Sequence, residues 1–114
     1  MSILMPNSEY KLRYLPLFYE DLNEKVEYIA FEKLNPTAAL KLVDAVEAAI
    51  LERLPIAESF ETYPSLFERK HPYYRIYVDN FIVFYVLIDA GEDKKIMEVR
   101  RFLYKGQDRD SMIF

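Results

Sequence analysis

The chain contains no cysteine, which excludes disulfide frameworks, thiolate zinc sites and cysteine nucleophiles. Histidine is nearly absent as well, His71 being the single one. The carboxylates Glu20, Glu24 and Glu27 therefore have no imidazole beside them to complete a coordination sphere, and neither a metal nor another cofactor is expected. No apolar run approaches the ~20 residues that a membrane helix requires, and Met1 to Met5 is too short and too poor in charge for a signal peptide. A soluble, cytoplasmic protein without membrane contact is the expectation. An excess of positive charge is also missing. The formal net charge is −4, which argues against a generic nucleic-acid binder, because phosphate binding draws its affinity from clustered Lys and Arg.

What is present suffices for one domain, residues 1–114. At 114 residues and 52% hydrophobic content the chain can close a core without metal or disulfide support. Its charge is uneven. Residues 1–68 hold six Lys and Arg against twelve Asp and Glu, whereas residues 69–114 hold nine against seven, so any anion-binding surface belongs to the C-terminal part.

Tyr10 to Leu15 reads as a short strand ended by Pro16. Leu22, Val26 and Ile29, extended by Phe18 and Lys33, form one helical row with Glu20, Glu24, Glu27 and Glu32 on other faces. That helix stops near Asn35 and Pro36, because the residue before a proline is biased away from the helical region. The same dipeptide starts a second helix from Pro36 to about Leu54, with Asn35 as cap and Pro36 at the first helical position. Leu42, Val46, Ala49 and Ile50 point inward there, and Ala38, Ala39, Ala45 and Ala48 permit a close neighbour. Ile56 to Pro72 lacks any period and reads as a surface connection. Three strands follow: Tyr73–Val78, Phe81–Ile88 and Lys95–Tyr104. The middle one, FIVFYVLI, is apolar throughout and suits a central strand buried on both faces. In the first, Tyr73, Arg75 and Tyr77 alternate with Tyr74, Ile76 and Val78, and Asp79 and Asn80 tolerate the left-handed backbone of a tight hairpin. Helices and strands segregated in this way predict an α+β fold: an N-terminal strand and a helical hairpin packed on one face of a mainly antiparallel sheet ending in a three-strand meander, with the opposite face free.

This order, carried by the N-terminal strand, NPTAALKLVDAVEAAILERL, YYRIYVDNFIVFYVLID and EVRRFLYKGQD, resembles the RelE/ParE superfamily of bacterial toxins over nearly the whole chain. The resemblance implies the toxin half of a type II toxin–antitoxin system (plasmid stabilisation), a growth inhibitor held inactive by a cognate antitoxin. Two targets are implied: RelE-like members cut mRNA on the ribosome, and ParE-like members poison DNA gyrase. Cleavage through a ribose 2′-hydroxyl needs a base, cations for the pentacoordinate phosphate and an acid for the leaving oxygen. By motif, the family's basic positions fall on Arg75 and Arg101 and its terminal Tyr/His position on Tyr104, the three candidate catalytic residues. The frequent arginine after the aromatic that opens the central strand is replaced by Ile82, which cannot hold a phosphate. That departure and the acidic net charge favour the ParE-like target, with the mRNA interferase and an inactive toxin kept for binding as alternatives.

Each candidate also has a plainer reading. His71 is an acid or base near neutral pH, or simply a solvated loop side chain. Arg75 between Tyr73 and Tyr77 suits phosphate binding and base stacking, or lies along tyrosine rings on an exposed face. Strand parity groups Arg100 with Phe102 and Tyr104, the family pattern picks Arg101, a bulge would alter the parity, and either arginine can pair with Glu98 or an acidic helix residue. Among the ten tyrosines and eight phenylalanines, Tyr14, Tyr19, Tyr28, Tyr63 and Tyr104 are candidates for a protein contact surface.

Overall fold

The computed structural model describes residues 10–63, 70–91 and 94–106. A strand Tyr10–Tyr14 (β1) leads through Pro16, at the first helical position, into helix Pro16–Glu27 (α1). The helix does not continue to Asn35 in α form. From Tyr28 to Glu32 it widens into a π-helical turn, closed by the Lys33 N–H donating to the Tyr28 carbonyl at 3.0 Å. Asn35 then caps helix Pro36–Arg53 (α2) as expected, its Oδ1 accepting from the Ala38 N–H at 3.1 Å. A short 3₁₀ turn Leu54–Ile56 ends the hairpin. Strands Tyr74–Val78 (β2), Phe81–Asp89 (β3) and Lys95–Tyr104 (β4) follow.

The four strands form one mixed sheet in the order β1-β4-β3-β2. The meander is antiparallel, whereas β1 pairs with β4 in parallel at the edge. Asp79 takes φ 52° in the β2–β3 turn, as an acidic turn residue can at little steric cost. Both helices lie on one face. There Phe18, Leu42, Val46 and Ile50 pack against Ile76, Val78, Val83, Tyr85, Met97, Val99 and Phe102. Of the small residues in α2 only Ala39 is buried, and Ala45 and Ala48 face solvent. Lys33, the last member of the anticipated apolar row, is exposed, while Asp21 within α1 is buried.

The other face is not free. Tyr73, Ile82, Phe84, Val86 and Leu103 form a second buried cluster, with Tyr63 and Ile88 against it. Residues Ile82 to Val86 of β3 are all at 0% exposure, so the central strand is buried on both faces, which is why its sequence shows no alternation. Tyr85 ties the layers together: its hydroxyl donates to the Ala57 carbonyl at 2.8 Å and accepts from Arg53 at 2.9 Å. Arg53 also donates to the Arg75 carbonyl and lies 3.5 Å from the centre of the Phe60 ring. Among the described residues, no helix is long and apolar enough to cross a membrane.

Candidate functional site

The β3–β4 ladder contains the irregularity that decides where the arginines go. Phe84 is opposite Arg101 but Tyr85 is opposite Val99, so Arg100 is an extra residue in β4. Such a bulge bends the strand and re-aims side chains. Val99 and Phe102, three apart, consequently both face the helices. Arg100 turns to the opposite face, where its Nε donates to Glu98 at 2.7 Å and its guanidinium reaches the Tyr73 hydroxyl at 3.3 Å.

Arg101 is drawn over the free edge of β4 to α1, making a bidentate pair with Asp21 at 2.7 and 2.9 Å. β1 has ended by this point, and Asp21 Oδ2 takes the place of a strand partner by accepting the Phe102 backbone N–H at 3.0 Å. The hydrogen bond to Asp21 raises the Arg101 pKa despite opposing desolvation. Its side chain is 11% exposed, so Arg101 is a structural anchor rather than an open phosphate ligand.

Glu98 forms a second knot. It accepts from Arg100 and, across the β1–β4 pair, from Arg13. Burial alone would raise the Glu98 carboxyl, but hydrogen bonds from Arg100 and Arg13 and their charges hold it below the ordinary glutamate range.

Arg75 and Tyr104, the other two sequence candidates, lie on opposite faces of the sheet. Arg75 is opposite Phe84 on the face away from the helices, its guanidinium 5.3 Å from the Tyr63 ring and 5.9 Å from Tyr77. Lys105 Nζ is also 5.9 Å from the Tyr77 ring. Tyr104 packs edge-on against Phe81 at 5.5 Å and lines a cavity with Tyr28, Ile29 and Lys33 on the helical side. The three residues therefore do not converge on one substrate.

What does converge on the helix-free face is a row of Tyr63, Arg75, Tyr77 and Lys105. Two cations around tyrosine rings can bind an anion or stack a flat group. Lys105 joins this row only because the β3–β4 register brings the end of β4 beside Tyr77, which the residue pattern alone does not reveal. Asp21 was visible in principle, as an acid three residues from Phe18 on the buried side of α1. His71 is half-buried in the connection preceding β2. No cluster of His, Asp or Glu among the described residues could hold a metal ion. The chain matches no family model and no curated protein with which it was compared.

Proposed function

We propose that this chain is the toxin component of a type II toxin–antitoxin pair, acting in the cytoplasm and neutralised by a cognate antitoxin. The reading is supported by the resemblance to RelE/ParE toxins, together with a helical hairpin on one face of a sheet ending in an antiparallel meander. Between the two targets, a ParE-like block of DNA gyrase is favoured over mRNA cleavage. The observation that carries this preference is the separation of Arg75 from Tyr104 across the sheet, with Arg101 already committed to Asp21. A general acid must reach the same phosphate that the cations hold. Ile82, where the family often has an arginine, is fully buried in the second cluster. The ribosome-dependent interferase is the second reading, favoured by the Tyr63, Arg75, Tyr77 and Lys105 row. Induced expression tests the pairing. The chain alone should arrest growth, and co-expression of the protein encoded beside it should relieve the arrest and yield a co-purifying complex. Absence of both arrest and complex removes the toxin reading.

A further inference from the structure

The outer face of the helical hairpin carries a second candidate surface. In the π-helical turn and the link after it, Tyr28 is 51% exposed, Phe31 72% and Leu34 82%, with Leu34 at φ 52°. A leucine both solvated and left-handed gains nothing from burial and pays steric strain, and π-helical turns recur at functional positions. Tyr28 and Phe31 line a shallow depression together with Glu20, Glu24, Glu27 and Glu32. A more enclosed cavity of about 470 Å³ adjoins it, sharing Tyr28 and Glu24 and lined by Ile29, Phe81 and Tyr104, with Lys25 and Lys33 also in its lining. Among the described residues, neither Glu27 nor Glu32 has an ion-pair partner, and Glu24 has only Lys25.

We propose that this surface docks a basic amphipathic segment of a partner protein, one apolar side chain entering the cavity beside Tyr28 and its lysines or arginines lying over the glutamates. Charge complementarity selects that occupant. The four glutamates outweigh Lys25 and Lys33, so a second copy of this chain would bring like charge against like, and an acidic segment or nucleic acid would be disfavoured. Exposed aromatics within reach of an apolar cavity provide the anchoring contact, and the glutamate rim provides orientation and partner choice. The segment extends the antitoxin reading, since it assigns a charge and a seat to the partner, and it rests on that reading for its biological meaning.

Two synthetic helical peptides test the surface: one of leucine and lysine, the other of leucine and glutamate with the same apolar face. Fluorescence anisotropy should show binding of the lysine peptide and at least about tenfold weaker binding of the glutamate peptide. Phe31→Ser and Tyr28→Ala, both at solvated positions, should each weaken the lysine peptide by about tenfold. Glu24→Lys combined with Glu27→Lys should reverse the preference. Leu51→Ser, on an exposed position of α2, should change nothing. Equal binding of both peptides, no binding of either, or equal loss in the Leu51 variant overturns the proposal. The antitoxin reading fails on a different observation, the lack of a complex with the neighbouring gene product, so the two outcomes are separable.

Discussion

Asp21 performs two tasks with one carboxylate, neutralising Arg101 and terminating the unpaired edge of β4 through the Phe102 N–H. Removing it would take the bidentate carboxylate from the largely buried Arg101 guanidinium and the acceptor from the Phe102 N–H. Asp21→Ala is expected to cost roughly 3 to 5 kcal/mol, the scale for breaking a buried pair from one side, as measured by denaturant melts. Arg101→Met should also be costly, because it leaves the buried Asp21 carboxylate without its guanidinium partner, whereas replacing both residues by apolar ones should cost much less. Glu98 gives a pH signature. Its pKa is lower in the fold than in the unfolded chain, so the unfolded state takes up the proton first on acidification. The stabilisation is fully present above the ordinary glutamate pKa of about 4.3 and is lost as pH falls below it. Glu98→Gln should flatten that acid limb of the stability profile, and an unchanged limb would mean that the Arg13 and Arg100 contacts carry little.

Among the elements, β3 is the most sensitive. Val83→Ala, deleting methyls at a position with 0% exposure, should lose roughly 1 to 3 kcal/mol, and Tyr85→Phe should lose about 1 to 3 kcal/mol by leaving the Ala57 carbonyl and Arg53 short of a partner. A loss below about 0.5 kcal/mol for Val83 would contradict burial on both faces. This strand was legible in the sequence because eight apolar residues without alternation have one economical placement. The Asn35–Pro36 hinge was legible for a similar reason, since a cap and a helix-starting proline coincide. The parallel pairing of β1 was not, because a five-residue strand, YKLRY, with Lys11 and Arg13 alternating against Tyr10, Leu12 and Tyr14, carries no mark of its partner's direction. Nor was the bulge at Arg100, which exists only in the β3–β4 register. With the bulge unseen, the sequence could not decide which arginine faced which way, and the structure sends both into ion pairs, with Glu98 and Asp21. The π-helical turn was hidden too, since its residues continue an acceptable α pattern.

At the scale of the whole molecule, charge and architecture divide the surface into two unlike faces. The helical side presents Tyr28 and Phe31 within a rim of glutamates, while the sheet side presents Arg75 and Lys105 around tyrosine rings. A protein partner suits the first and an anionic or flat group the second. Arg75 and Tyr104 face away from each other across the sheet, and the proposed preference for DNA gyrase over mRNA cleavage rests on that separation. The direct measurement is a supercoiling assay with purified gyrase, run beside primer extension on mRNA translated in the presence of the chain. The account predicts that supercoiling is blocked and that the mRNA remains intact. Ribosome-dependent cuts that disappear in the Arg75→Ala variant, with gyrase unaffected, would contradict it.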